Sequence, residues 1–501
     1  MRIFISTLMI GTLNLSCTGE TPSVDFPELP DISTSKQNQM SPHESDVVKQ
    51  WQIALLGEIR GELEPCGCPT LPYGGFSRRQ NALQSLNAEM PLFQLDAGEI
   101  LLKGFFSNKD ASSKERALLL GELSKDVGVD AWTVGPSDLM AVGLDGLKDM
   151  TGPTRISATW VDDKDEYLFP PYTILSKSNV DLAVIGLSAK PTDPKWQIIH
   201  TLSATEALER VLPTIPKSVD MIIALGSMDD EEIDPIKSTF PEVQLYLTTE
   251  GASYDDPQLD SGTPIIEAPK QGRFIQMIHL RHNTTARSMP IQGLTETEWR
   301  QWLTLTKDTP THPLHTKIQD VGRGQILLHT ELIPLSGIYD SQEALVQEKI
   351  STFASERIEI SQSVAEQPTT QSEPGYAASG RCAQCHSAEM AKWSFSQHAR
   401  AWESLIAHPT EGSTSNPECI GCHTTGFGQV GGFGEPSIAN IRKFKAVQCE
   451  ACHGPMKGHP QDESIQSIPI SEEACLSCHD ESNSPNFQYE DYLHRATCQS
   501  K

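Results

Sequence analysis

Residues 445–460 read KAVQCEACHGPMKGHP, with two cysteines and two histidines in a stretch that has almost no apolar content. A C-x-x-C pair alone serves a tetrahedral zinc site, a redox dithiol or an iron–sulfur ligand set. Counting along the rest of the chain separates these chemistries. Of 12 cysteines, eight form CAQCH (Cys382, Cys385, His386), CIGCH (Cys419, Cys422, His423), CEACH (Cys449, Cys452, His453) and CLSCH (Cys475, Cys478, His479). With 15 histidines in 501 residues, a histidine after the second cysteine of all four pairs has a chance probability on the order of one in a million.

The chemistry of covalent haem attachment explains the spacing. Two thiols two residues apart on one turn reach the two vinyl groups of a haem and form thioethers, and the next imidazole turns to the iron. A zinc site needs no such adjacency, and a set of disulfides would leave the histidines without a role. The eight cysteines therefore read as attachment points for four haem c groups, with His386, His423, His453 and His479 as proximal iron ligands. Residues 375–501 hold four more histidines, and neutral imidazole is a good sixth ligand for iron. His398 lies in AKWSFSQHARAW, with Trp393 and Trp402 placed to pack on porphyrin. His459 follows CHGPMKG, and His494 ends YEDYLH. These three are candidate distal ligands, and His408, which precedes a proline in a loop, is the weakest of the four. An iron left without a distal imidazole would be open to chemistry.

The totals bound the remainder. A chain of 501 residues, 38% hydrophobic and 21% charged, is globular and long enough for two or three domains. The net charge of −27 argues against nucleic acid as a partner. The leader MRIFISTLMIGTLNLSC has one Arg before a short apolar run, too short to span a bilayer, and Ser16 precedes Cys17. It reads as an export signal of lipoprotein type, although Asn14 stands where Leu is usual, and it predicts membrane attachment through a lipidated Cys17. Residues 18–48, rich in Pro, Ser and Thr, read as a disordered tether. From Trp51, short apolar strands such as WQIALLGEI, VDLAVIGLSA and VDMIIALGS alternate with helical stretches such as SSKERALLLGELSKDVG, which predicts an α/β domain over 49–290. Residues 291–374 read as a helical connector and linker, and 375–501 as the tetrahaem domain.

GRCAQCHSAEMAKWSFSQHARAW, PECIGCHTTGFGQVGGF, VQCEACHGPMKGH and CLSCHDESNSPNFQYEDYLH together resemble the tetrahaem cytochrome c-554 family. The resemblance runs over nearly all of 378–495. It implies a mainly helical or irregular domain whose core is four packed haems, mostly bis-histidine ligated, which passes electrons to redox protein partners.

LLGEIRGELEPCGCPTLPYGGFSRRQ with PLFQLDAGEIL resembles the dimetal phosphoesterases of the 5′-nucleotidase type over about residues 51–285, most of all exported members with a Cys-Gly-Cys. That resemblance implies an α/β sandwich of two sheets flanked by helices. The family's two divalent cations need Asp, His and Asn ligands. Glu58-Ile59-Arg60-Gly61 stands where Asp-x-His-Gly is expected, and Gly135-Pro136-Ser137-Asp138 where Gly-Asn-His-Glu is expected. The later single His is replaced near Ser227, and Asp96 is the one full ligand that remains. No dimetal site is expected. Glu58, Asp96, Glu99 and Asp138 could still gather a hard cation, but the plainer reading is an acidic, solvated cleft. Cys66 and Cys68 suit a soft metal, a redox pair or a fixed loop, and Cys498 a leftover thiol or a bridge to one of them.

The leading functional reading is an exported bacterial tetrahaem electron carrier of the periplasm or cell envelope, lipid-anchored, whose phosphoesterase-like domain docks or senses and has no catalytic residues. The alternatives are a haem redox enzyme acting on a small nitrogen or sulfur compound, and a metal-dependent phosphohydrolase.

Overall fold

The computed structural model describes residues 49–65, 72–86, 90–102, 111–228, 230–249, 263–282, 291–293, 326–340, 345–370, 374–407, 413–480, 483–484 and 486–496. Cys17, Cys66, Cys68, His408 and Cys498 lie outside them, and so do the readings attached to those residues.

The N-terminal part is a sandwich of two sheets. The first runs through β1 (Lys49–Leu56), β2 (Leu92–Asp96), β3 (Ala131–Thr133) and β4 (Thr154–Ile156), which are parallel neighbours. β5 (Trp160–Val161) pairs with β8 (His200–Thr201) in a small ribbon. The second sheet holds β6 (Tyr172–Lys177), β7 (Val180–Leu187), β9 (Met221–Gly226), β10 (Leu245–Thr248) and β11 (Ile265–Glu267) in the order β11-β10-β9-β7-β6. β12 (Phe274–His282) returns antiparallel to β1 in the first sheet, and β13 (Ile291–Gly293) and β14 (Ile326–Pro334) extend that sheet beyond β12.

Side-chain alternation along the strands builds three apolar layers. Trp51, Ile53 and Leu55 of β1 face Leu182 and Val184 of β7 and Ile223 of β9 between the sheets. Ala54 and Leu56 point the other way, onto α1 (Phe76–Leu86), α2 (Ala111–Asp126) and α3 (Pro136–Asp149). Ala183 and Ile185 similarly meet α4 (Ala204–Val211) and α5 (Asp230–Thr239). This is the expected α/β sandwich.

The domain boundary differs from expectation. β14 pairs with β12 from Phe274↔Pro334 to His282↔Ile326 and buries Ile326, Leu327 and Leu328, so the sheet extends well past residue 290 into the stretch read as a helical connector. The run ILLHTELIP is a strand whose polar centre, His329-Thr330-Glu331, hides its period. The next element is α6 (Leu345–Ala365). It buries Val346 and Ile350 in the sandwich's outer layer, while Ser361 Oγ donates to the carbonyl of Gly434 at 2.8 Å.

After Gly375 the chain forms short helices, among them Ser379–Cys382, Ser387–Ser394, Ala401–Ile406, Pro417–His423, Ile438–Phe444, Cys449–His453, Glu472–Leu476 and Tyr489–Ala496. Its apolar cluster among the described residues is small: Ala378, Trp402, Leu405, Ile420, Phe433 and Phe444. A segment of this length needs far more buried apolar surface, or a substitute for it, to stay folded.

Candidate haem-binding site

Each C-x-x-C-H motif forms a single helical turn. His386 N–H donates to the Cys382 carbonyl at 2.9 Å and His479 N–H to that of Cys475 at 2.8 Å, which aligns the two thiols of each pair on one side. The second motif is set by Asn416, whose side chain accepts from Glu418 N–H at 2.9 Å, with Pro417 at the first helical position. In the third, Glu450 between the two cysteines is 2% exposed. Its carboxylate accepts from the N–H groups of Ala377 (2.8 Å), Ala378 (2.7 Å) and Met456 (2.8 Å), which ties the third motif to the entry of the first. The thiols are paired in space the same way. Cys449 hydrogen-bonds Cys382, and Cys422 hydrogen-bonds Cys478, which draws the Cys478 thiol down to about 7.

The four motifs wall one cavity of about 2470 Å³. A site for a single drug-sized ligand is about 300–1,000 Å³, so this space suits several macrocycles. All four motif histidines and seven of the eight motif cysteines line it; Cys419 packs instead against the small apolar cluster. Three of the imidazoles are held through Nδ1. His423 Nδ1 lies 2.5 Å from the Ala401 carbonyl, His453 Nδ1 2.9 Å from Ser467 Oγ, and His479 Nδ1 2.7 Å from Ser484 Oγ. A partner on Nδ1 orients the ring and leaves the Nε2 lone pair for a metal. His479 is also stacked on Phe487, with centroids 5.5 Å apart, and meets Tyr492 edge-on at 5.1 Å. The donor set, the volume and the missing apolar core all fit covalently bound haem.

Among the candidate distal ligands, His398 lines the cavity with its ring 6.0 Å from that of His479. That separation would let the two imidazoles hold one iron between them. Burial lowers the pKa of both rings, His398 adding to the effect on His479, and so favours the neutral, ligating form. His459 also lines the cavity, with Nδ1 3.3 Å from the Ile465 carbonyl. His494 is not on the wall, although Tyr492, Leu493 and Ala496 of its helix are. Trp393 lines the cavity and donates Nε1–H to the Val447 carbonyl at 2.8 Å. Trp402, expected on porphyrin, is instead 4% exposed in the apolar cluster against Phe433.

In the sandwich, the four surviving acidic residues do converge at the C-terminal edge of β1 and β2, but not as a solvated cleft. Asp96 and Asp138 are fully buried and Glu58 is 5% exposed. Asp138 accepts from the N–H groups of Glu99 (3.1 Å), Ile100 (2.8 Å), Leu101 (2.9 Å) and Gly135 (3.0 Å), so its carboxylate is spent on shaping the loop after β2. Glu99 caps α3 by accepting from Ser137 N–H at 3.2 Å, and a Cβ at position 135 would collide with its carboxyl, which explains Gly135. Glu58 pairs with Arg60 at 3.3 Å and lies 3.9 Å from Lys270. Asp96 accepts from Gly98 N–H at 3.0 Å, and burial pushes its carboxyl up to about 7 against the pull of the buried Arg79 guanidinium. Burial likewise raises Glu99 and Asp138, each carboxylate reinforced by a neighbouring one. Glu58, Arg60, Glu99 and Gln271 all have left-handed backbone, with φ between 45° and 60°, a conformation non-glycine residues adopt at a cost. Ser227 accepts from Thr249 Oγ1 at 3.0 Å.

Residues 381–454 match the family described as cytochrome c554 and c-prime, a span that takes in the first three motifs. A relative, cytochrome c-554 of Nitrosomonas europaea, is 36% identical over 87 residues, 15% of this chain and 36% of the relative. The chain thus spans about a third of the length of that relative. Over its N-terminal region the chain is similar to solved phosphoesterases. A 5′-nucleotidase precursor from Thermus thermophilus matches with a TM-score of 0.44 at 15% identity, over 64% of this chain and 60% of that one. The calcineurin-like phosphoesterase YfkN from Bacillus subtilis matches with a TM-score of 0.44 at 13% identity, over 62% of this chain and 98% of that one. Both the family match and the match to cytochrome c-554 are partial, and the family match falls on the segment that carries the first three C-x-x-C-H motifs.

Proposed function

We propose that the chain is an exported electron carrier holding four haem c groups, with the sandwich as a docking or ligand-sensing module that does not hydrolyse phosphate esters. The observation that carries this reading is the convergence of four C-x-x-C-H turns on one cavity in a segment with almost no apolar core of its own. Each haem, when bound, supplies a one-electron iron couple. The chain's own residues attach and orient: Cys382 and Cys385, Cys419 and Cys422, Cys449 and Cys452, and Cys475 and Cys478 hold the macrocycles. His386, His423, His453 and His479 are the proximal ligands, and the three Nδ1 contacts fix ring planes and basicity. His398 would hold an iron together with His479, and His459 is the next candidate ligand on the cavity wall. The pairing of the first motif with the third and of the second with the fourth keeps the sites close enough for electrons to pass among them.

In the sandwich, Arg60, Lys270 and Arg79 stand beside the carboxylates where a cation pair would be needed, which favours docking over hydrolysis. Export, anchoring through Cys17 in the cell envelope, and redox protein partners belong to the same proposal. Among the described residues no helix is long and apolar enough to cross a membrane. We place the domains at 49–340 and 375–501, joined by α6.

The test is a pyridine haemochrome spectrum of full-length protein made in a host with c-type maturation. Close to four haems per chain with the thioether-type band supports the reading. Protein that carries zinc and no covalent haem overturns it. Hydrolysis of nucleotides that vanishes in Asp96→Ala would overturn the non-catalytic role of the sandwich.

A further inference from the structure

The wall of the C-terminal cavity carries five arginines and five acidic residues. Most of these charges are already answered. Glu418 accepts from Arg357 Nη1 of α6 at 2.8 Å and from Nη2 of Arg116, which α2 of the sandwich brings to this wall. Glu403 takes Lys445 at 2.6 Å, Glu450 takes backbone N–H groups, and Asp480 accepts from Asn483 N–H at 2.8 Å. Arg381 donates to Gln461 Oε1 at 3.1 Å. Arg400 and Arg495 are different. Both are exposed, and neither guanidinium has a hydrogen bond or ion pair among the described residues. Glu389, the remaining carboxylate of the wall, pairs with neither. Their places are set by the fourth motif. Arg400 ends the turn His398–Arg400, and the His398 ring lies 6.0 Å from that of His479. Arg495 lies on the helix Tyr489–Ala496, with Cζ 5.9 Å from the centroid of Tyr492, which meets His479 edge-on at 5.1 Å. The two free cations thus reach the cavity from separate elements that both pack against His479.

A haem brings an apolar macrocycle, which belongs inside the cavity, and two propionates, which do not. Burying an unpaired carboxylate is costly, so the propionates belong at the wet rim beside a cation. A guanidinium is always charged, and its planar fork matches a carboxylate. We infer that Arg400 and Arg495 bind the two propionates of the haem on Cys475 and Cys478 and raise the reduction potential of that haem. This rests on the tetrahaem reading above. Positive charge beside the macrocycle favours the less positive, reduced iron. Because both groups face water, dissolved salt weakens the effect. Asp480, next to His479 in the chain, acts in the opposite sense.

The experiment compares full-length loaded wild type with Arg400→Gln, Arg495→Gln, the double Gln variant, Arg400→Lys and Arg495→Lys. Haem content is measured first, then each haem's potential by optical redox titration. Titrations are run at about 0.1 M and about 1 M salt, between which the screening length falls from about 10 Å to about 3 Å. The component displaced in His398→Ala identifies the haem in question. Each Gln variant should retain four haems and make reduction of that haem about threefold less favourable. That is a fall of about 28 mV, at about 59 mV per tenfold for a one-electron couple. The double variant should fall about twice as far, with the other three potentials unchanged. Either Lys variant should stay near wild type, and high salt should shrink every difference. Four haems with unmoved potentials in the double variant would overturn the inference while leaving the tetrahaem reading standing. So would a His398→Ala protein in which none of the four components is displaced. Fewer than four haems in the wild type would sink the tetrahaem reading instead. If the double variant does not mature, unmoved potentials in the two single Gln variants are the overturning result.

Discussion

The imidazoles of His398 and His479, 81 positions apart in the chain, face each other across 6.0 Å with their planes inclined by 47°. His398 is carried by a short turn, His398–Arg400, whose first carbonyl accepts from Val447 N–H at 3.1 Å. His479 is clamped by Ser484, Phe487 and Tyr492. The ring of His479 and the backbone that carries His398 are thus both held by neighbours.

Replacing His398 with Ala should leave haem content at four per chain, because thioether attachment does not involve it. One low-spin iron should become high-spin, visible by electron paramagnetic resonance, and exogenous imidazole should reverse the change. An unchanged spectrum would assign His398 to packing alone.

Glu450 offers a stability test. Its carboxylate gathers three backbone N–H groups in a buried site. Glu450→Ala leaves those donors unmet and should lower stability by about 3 kcal/mol, read as a fall in the thermal midpoint of the loaded protein. Loss within about 0.5 kcal/mol would mean that water replaces the carboxylate fully.

A pH dependence follows from Asp96. Its folded pKa of about 7 lies above the ordinary 3.8, so the folded state holds a proton that the unfolded chain releases. The contribution is complete below about pH 4 and is lost as pH rises through 7. Across that window it amounts to about 4 kcal/mol at most. Chemical denaturation of the sandwich should therefore show lower stability at pH 8 than at pH 5, and Asp96→Asn should flatten the profile. A wild-type profile that rises with pH would contradict the assignment.

Two contacts of α6 differ in weight. Ile350 is 2% exposed in the outer layer of the sandwich, and Ile350→Ala should cost about 3 kcal/mol. Lys349 bridges Glu122 and, at 2.6 Å, Asp126, but its partly exposed side chain faces water. Lys349→Met should cost under about 1 kcal/mol. Equal losses in urea titrations would reverse this ranking.

The four C-x-x-C-H motifs are legible because covalent haem attachment would tie Cys, Cys and His to fixed adjacent positions. The buried strands are legible for a simpler reason: runs such as LAVIGL and MIIALG have no other stable place. What escapes is whatever depends on partners distant in the chain. β14 is masked by three polar residues that pair across to β12. Trp402 looks like a haem-packing ring until Phe433 and Leu405 close around it. Glu450 and Arg116 read as ordinary charged helix residues, and only the fold reveals one as a knot of backbone donors and the other as part of a distant wall. The acidic group around Asp96 reads as a wet cleft; its burial follows from the loops that Asp138 and Gln271 fold over it.

α6 enters as sandwich and leaves as haem segment within 21 residues, a helix about 32 Å long. Val346 and Ile350 near its start are core of one part, and Arg357 and Ser361 further along hold backbone and side chains of the other. The haem segment is therefore not a cassette that a gene rearrangement could lift out at a single seam. A cut before α6 strips the sandwich of a layer, and a cut after it removes the ledge on which the second motif rests.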